Sequence, residues 1–212
     1  MYLQGTMRSD IVLAVHQCAR FSINPTSSHE RAIKRIGRYL LGSKNRGIVL
    51  KPEPHKGLEC YVDADFAGDW SKEDAGDPDN VLSRTGFVVF YAGCPLVWAS
   101  RMQMEIPLST AELEYVACST VMGDILSPMQ LMHEIDKIFP VTSPKPIAHC
   151  NVYEDNESCI AMAKNRKFSP RTTHIAIKYH HFKRHMNKTV FINSIDTAEQ
   201  IADALTKPLE ER

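Results

Sequence analysis

Four acidic residues, each within a short distinctive motif, are the part of this sequence best suited to chemistry. They are Asp63, Glu114, Asp155 and Asp203. Two of them lie within or at the end of apolar, strand-like segments, and two lie in helix-like segments. Carboxylates are costly to bury in such surroundings unless cations gather them. A pair of divalent metal ions would do so, and such pairs commonly catalyse phosphodiester chemistry.

The hydrophobic pattern predicts the elements that position these acids. Strands are expected at 58–64, 85–92, 95–100, 147–153 and 189–195, with a tight turn at Gly93-Cys94. Helices are expected at 109–138, 156–165, 174–188 and 198–207, the first being kinked or broken at Pro128. Because strands and helices are interleaved, the expected fold class is α/β, with a five-stranded mixed sheet flanked by helices.

A small helical segment is expected ahead of the sheet. Residues 7–24 predict an amphipathic helix, and a second helix is expected to begin with a capping box from Ser27 to Glu30 and to end at Gly42. Residues 51–57 contain two prolines and predict a linker. We therefore place a helical segment at 1–50 and an α/β domain at 58–209.

Charge is unevenly distributed, although the net charge of the 212 residues is zero. Residues 1–58 carry ten Lys or Arg against three acidic residues, whereas residues 59–140 carry four against fourteen. A basic part suits a nucleic-acid backbone and an acidic part suits metal ions, although two solvated faces explain the same pattern. The sequence contains no apolar run of membrane-spanning length and no secretion signal, which favours an intracellular protein, cytoplasmic or nuclear and not secreted.

Seven motifs occur in order between Tyr61 and Leu209. They are Asp63-Ala64-Asp65-Phe66-Ala67-Gly68-Asp69, Ser83 to Phe90, Trp98 to Gln103, Ser109 to Tyr115, Asp155 to Ile160, Arg171 to His180, and Ala202 to Leu209. With these motifs the segment resembles the ribonuclease H domain of copia-type retrotransposon polyproteins. The resemblance implies a ribonuclease H-like fold and a metal-dependent endonuclease that hydrolyses the RNA strand of RNA–DNA hybrids.

The resemblance also implies roles for individual residues. Asp63, Glu114, Asp155 and Asp203 match the catalytic acids, which hold two Mg²⁺ ions, with Mn²⁺ as a possible substitute. Glu114 is preferred to Glu112 because Ala117 follows it by three residues, as the A-E-[LY]-x-A-L pattern of related nucleases requires. Asp65 is a candidate supporting residue. The residues expected to bind nucleic acid are Arg31, Lys34, Arg35, Arg38, Arg171 and His174.

Residues 4–50 resemble the end of the reverse transcriptase of the same polyprotein. The matching motifs are Gly5 to Ile11, Asn24-Pro25-Thr26, and Arg35 to Ser43. The chain has no Tyr-x-Asp-Asp motif, so no polymerase activity is expected. The implied partners are an RNA–DNA hybrid and the remainder of a reverse transcriptase, with no membrane. Two alternatives stay open: a catalytically idle retroelement fragment that binds nucleic acid or a partner, and another nuclease or transposase of the same fold.

Overall fold

Five strands form one mixed sheet in the computed structural model, which describes residues 1–53, 55–66, 82–139, 149–165 and 182–208. The strands are β1 (Leu58–Asp65), β2 (Arg84–Tyr91), β3 (Cys94–Met102), β4 (Cys150–Glu154) and β5 (Val190–Ser194). Their order in the sheet is β3-β2-β1-β4-β5. β2 runs antiparallel to β1 and β3, whereas β4 runs parallel to β1 and to β5. The five-stranded mixed sheet predicted from the sequence is confirmed.

Helices flank the sheet. The α-helices are α1 (Tyr2–Thr6), α2 (Val12–Arg20), α3 (Ser27–Gly42), α4 (Thr110–Thr120), α5 (Met122–Ile138) and α6 (Glu157–Lys164). Short 3-10 helices span Ser9–Ile11, Thr197–Glu199 and Ile201–Leu205; the last is called the C-terminal 3-10 helix below. Within the described ranges, no helix has both the length and the apolar composition needed to cross a bilayer.

Apolar side chains cover both faces of the sheet, because alternate residues of a strand point to opposite faces. On one face, Leu58, Cys60 and Val62 belong to the main core, which also contains buried residues of α4, α5 and α6. On the other face, Val88 and Trp98 form a smaller core with Val12 of α2 and Leu205 of the C-terminal 3-10 helix.

The N-terminal helices are attached to the sheet through this second core. The indole Nε1 of Trp98 donates a 2.8 Å hydrogen bond to the carbonyl oxygen of Gln4. Arg84 of β2 lies 3.1 Å from the Nδ1 of His16. Residues 1–20 therefore cover one face of the sheet, whereas no side chain of α3 is fully buried.

Several predicted boundaries were wrong for identifiable reasons. The long helix breaks at Val121, and Pro128 lies inside α5. The hydroxyl of Thr120 donates to the carbonyl of Val116 at 2.8 Å, and such local bonds compete with the helix backbone. The capping box of α3 is formed by Thr26 and His29. The turn between β2 and β3 lies at Ala92 and Gly93, both of which have positive φ.

Two predicted helices also differ. The last one is replaced by two 3-10 segments, because the side chains of Asp196 and Gln200 cap each segment at its start. In the predicted helix 174–188, residues 182–188 form only a short 3-10 turn and an isolated bridge from Met186 to Val190. Residues 174–181 lie outside the described part.

Candidate active site

Three of the four predicted acids meet at one edge of the sheet. Asp63 lies near the carboxyl end of β1, Asp155 directly follows β4, and Glu114 lies on α4. Because β1 and β4 are parallel neighbours, their carboxyl ends lie at the same edge. One carboxylate oxygen of each residue lies within 4.8 Å of the other two. We call these three residues the acid cluster.

The acid cluster lines a cavity of about 370 Å³. The other lining residues are Ala64, Asp65, Phe66, Thr110, Asn156 and Lys207. Asp203 is absent from this lining, and its carboxylate Oδ1 pairs with the Nζ of Lys207 at 2.9 Å. The same Nζ lies 3.5 Å from the Oδ2 of Asp63, so Lys207 bridges Asp203 to the cluster.

Burial makes the negative charge of the cluster unfavourable. Asp63 is only 1% exposed and Glu114 only 6%. Burial raises the pKa of Asp63 to about 6. The pKa of Glu114 is raised further, first by burial and then by repulsion from Glu154 and Asp63. A cation in the cavity would reverse both effects by stabilising the ionised carboxylates.

The donor set fits a hard divalent cation. All three side chains offer carboxylate oxygens, which are the ligands that Mg²⁺ prefers. The Oε2 atom of Glu114 is buried and has no hydrogen-bond partner among the described residues. A buried oxygen is seldom left unpaired, and a metal ion would provide the missing partner.

Hydrogen bonds hold two of the acids in place. The hydroxyl of Thr206 donates to the Oδ2 of Asp63, and the hydroxyl of Thr197 donates to the Oδ2 of Asp155 at 2.8 Å. Thr197 begins the first of the two C-terminal 3-10 segments, and Thr206 directly follows the second. This region therefore orients the acids that the sheet supplies.

Two buried glutamines connect the elements that carry the acids. The Nε2 of Gln200 donates to the carbonyl of Val62 at 2.9 Å, immediately before Asp63. The Nε2 of Gln103, the residue directly after β3, donates to the carbonyl of Leu113 at 3.1 Å, immediately before Glu114. Each glutamine thus fixes the backbone beside one member of the cluster.

Glu154 forms part of a second group behind the site. It is completely buried, and its Oε1 accepts the N–H of Asn156 at 3.1 Å. Its Oε2 accepts a hydrogen bond from the Sγ of Cys118 at 3.3 Å. The Sγ of Cys159 lies within 4.8 Å of the Sγ of Cys118 and of a carboxylate oxygen of Glu154. Asn156 in turn caps α6 by accepting the N–H of Cys159. Glu154 and Asn156 therefore anchor the chain on both sides of Asp155.

Motif reasoning proposed the three acids that meet, but it missed most of the residues that position them. Four of these residues lay within the motifs around Asp155 and Asp203 but received no role, namely Glu154, Gln200, Thr206 and Lys207. Thr197 carried no signal of its own. Glu112 is half-buried, and its Oε2 accepts the N–H of Leu108. The structure thus brings Glu114, and not Glu112, beside Asp63.

Four of the six residues expected to bind nucleic acid lie in the described part of the chain, all of them on α3. The exposed basic side chains of α3 are Arg31, Lys34, Arg35 and Arg38. Lys34 pairs with Glu30 one turn earlier at 2.6 Å. Arg171 and His174 lie outside the described residues, so their place relative to the cluster stays a prediction.

The strand order, the flanking helices and the acids at the carboxyl ends of β1 and β4 define a ribonuclease H-like fold. Over 209 residues, 98% of its length, the chain is 34% identical to the retrovirus-related Pol polyprotein from transposon RE1 of Arabidopsis thaliana. It is 31% identical over 208 residues to the corresponding polyprotein from transposon TNT 1-94 of Nicotiana tabacum. The chain belongs to this copia-type polyprotein family, as its ribonuclease H segment. It spans 13% and 14% of these two relatives.

No protein-family model matches the chain. Similar solved structures include the N-terminal RNase H domain of rv2228c from Mycobacterium tuberculosis (TM-score 0.45, 11% identity, 71% of this chain and 90% of that chain). Another is LC11-RNase H1 in complex with an RNA/DNA hybrid (TM-score 0.41, 14% identity, 70% of this chain and 92% of that chain).

Proposed function

We propose that the protein is a metal-dependent endonuclease that hydrolyses the RNA strand of RNA–DNA hybrids. The observation that carries this proposal is the acid cluster, whose three carboxylates lie within 4.8 Å of one another at one edge of the sheet. Membership of the retrotransposon polyprotein family supports the same function, because the acids lie in the motifs that carry the family resemblance.

Asp63, Glu114 and Asp155 would hold the divalent ion, and Mg²⁺ is the expected one, with Mn²⁺ as a substitute. When bound, such an ion activates water and stabilises the leaving oxygen of a phosphodiester. The residues of the chain orient the site: Thr206 fixes the carboxylate of Asp63, and Thr197 fixes that of Asp155. The two-ion arrangement expected from the sequence also requires Asp203, which Lys207 connects to the cluster.

The proposed substrate is bound through its shape, its phosphates and its 2′-hydroxyls, as is usual for duplexes that contain RNA. The exposed basic residues of α3 support this, because they offer a row of charges to a phosphate backbone. The proposed second partner is the remainder of a reverse transcriptase. Exposed apolar side chains of the N-terminal segment support it, among them Tyr2, Ile23, Leu41 and Val49.

The test is cleavage of a uniformly labelled RNA–DNA hybrid in Mg²⁺ by the parent protein and by Asp155→Asn. Only the parent should cleave the RNA strand, and the exposed Glu134→Gln on α5 provides a matched control that should cleave as the parent does. Circular dichroism checks that each variant is folded. Binding of the hybrid without cleavage by the folded parent would favour the idle-fragment alternative, and cleavage of double-stranded DNA would favour a different nuclease.

A further inference from the structure

Lys207 lies beside the acid cluster and pairs with two carboxylates at once. Its Nζ is 2.9 Å from the Oδ1 of Asp203 and 3.5 Å from the Oδ2 of Asp63. Its side chain is 44% exposed, and it lines the same cavity as Glu114 and Asp155. Lys207 therefore belongs to the site, although its side chain stays partly exposed to solvent.

The backbone before Lys207 is anchored to both of its acidic partners. The N–H of Lys207 donates to the carbonyl of Asp203 at 2.9 Å. The hydroxyl of Thr206 donates to the Oδ2 of Asp63, and its oxygen lies 3.1 Å from that same carbonyl of Asp203. Because residue 206 is held against Asp63, the lysine side chain starts beside the acids and loses less freedom than a lysine on an open surface.

These contacts decide which oxygens are available to metal ions. The Oδ2 of Asp63 already accepts a hydrogen bond from Thr206 and pairs with Lys207, and neither of these two contacts involves its Oδ1. A second ion would use Asp203, whose Oδ1 is neutralised by the same ammonium. A divalent ion bound by Asp203 would lie close to the ammonium of Lys207, and two cations repel each other at short range. The ion and the ammonium therefore compete for the space between Asp63 and Asp203.

We propose that the ammonium of Lys207 is the resident cation between Asp63 and Asp203, so that the protein without nucleic acid binds one divalent ion and not two. The inference rests on the proposed function of the acid cluster as a metal site. Lys207 does not take part in the reaction itself and instead controls whether Asp203 can bind a metal ion. A second ion enters only when Lys207 leaves Asp203, and a substrate phosphate is a group that attracts an ammonium strongly enough to draw it away.

The test counts Mn²⁺ ions bound per chain, by electron paramagnetic resonance, in protein free of nucleic acid. The parent and Lys207→Arg should bind one ion, and Lys207→Gln should bind a second ion at the same Mn²⁺ concentration. Lys56→Gln is the matched control, because Lys56 also pairs with a nearby acid, Glu53, at 3.1 Å but lies away from the cavity lining. It should bind one ion.

Equal ion counts in the parent and in folded Lys207→Gln would overturn the proposal, and so would two ions in the parent. If Lys207→Gln does not fold, Lys207→Met keeps the aliphatic chain and takes its place. Asp155→Asn separates this inference from the proposed function. Retention of the ion by Asp155→Asn would refute the metal site itself, whereas its loss with no gain in Lys207→Gln would refute only the role of Lys207.

Discussion

Gly86 of β2 lies directly against Thr206. A Cβ added at Gly86 would be 2.7 Å from the Cγ2 of Thr206 and 2.9 Å from the Cβ of Leu205. In the sheet, Gly86 is also the partner of Asp63 on β1. The missing side chain of Gly86 thus leaves the room in which Thr206 approaches close enough to bond Asp63.

We expect Gly86→Ala to displace the C-terminal 3-10 helix. Overpacking of this kind costs about 1–3 kcal/mol of unfolding free energy. Because Thr206 moves away from Asp63, Mn²⁺ affinity and hybrid cleavage should fall as well. Urea unfolding and a Mn²⁺ titration measure the two effects. Gly123→Ala on α5 is the control, since nothing lies within 4 Å of the added Cβ and alanine favours a helix; a similar loss there would contradict the steric explanation.

Glu114→Gln and Glu112→Gln form a pair that separates the two neighbouring acids of α4. Glu114→Gln should abolish hybrid cleavage, because it removes a buried carboxylate from the acid cluster. Glu112→Gln should cleave as the parent does, because a glutamine oxygen can still accept the N–H of Leu108. Cleavage rates under single-turnover conditions measure both. Full activity in the Glu114 variant would remove that residue from the proposed site.

Asp63→Asn should stabilise the metal-free protein at neutral pH while abolishing its activity. Burial raises the pKa of Asp63 from 3.8 to about 6, so the folded state holds this proton more tightly than the unfolded chain does. The stability that the parent protein gains from this tightly held proton is fully present below pH 3.8 and is lost as the pH rises through about 6. One pH unit of difference in pKa corresponds to about 1.4 kcal/mol, so the stabilisation at neutral pH should reach roughly 3 kcal/mol.

Urea unfolding of the parent and of Asp63→Asn, without metal and at several pH values, measures this difference. The advantage of the variant should grow from about pH 4 to about pH 7 and then level off. Adding Mg²⁺ should stabilise the parent and leave the variant nearly unchanged, since the ion binds only an intact cluster. A difference between the two proteins that does not vary with pH would show that Asp63 is not the titrating group.

Arg31→Gln combined with Arg38→Gln tests whether α3 contacts the phosphate backbone. Both side chains are exposed. Each phosphate contact that is lost should reduce the slope of log affinity against log salt by about one. Hybrid binding by fluorescence anisotropy at several salt concentrations gives this slope. Lys137→Gln on α5 removes one exposed positive charge elsewhere, and an equal change there would show that only net charge matters.

Sequence reasoning was most successful where the signal is local. Asp63 and Asp155 follow apolar strand patterns, and parallel pairing of β1 with β4 then brings them to one edge. Thr206 was not foreseen, because its bond to Asp63 depends on how the end of the chain folds back against Gly86. The four-residue spacing of Asp203 and Lys207 was visible in the sequence, but the ion pair between Lys207 and Asp63 was not.

The errors in the helices have a similar origin. A proline is a strong local signal for a break, yet α5 continues through Pro128 and the break lies at Val121. The C-terminal segment has helical periodicity, but Gln200 uses its side chain to bond the carbonyl of Val62 and to cap a 3-10 helix instead. In the C-terminal segment, the contacts of the Gln200 side chain outweigh the local preference for an α-helix.

The bond between Trp98 and the carbonyl of Gln4 has a consequence for processing of the chain. Because residues 1–20 cover an apolar face of the sheet, a protease that cuts within residues 51–57 would nick the polypeptide without separating the sheet from the N-terminal helices. The two pieces would stay associated, much as the fragments of a nicked enzyme do. A chain deprived of residues 1–20 would present Val88 and Trp98 to water and would be prone to self-association.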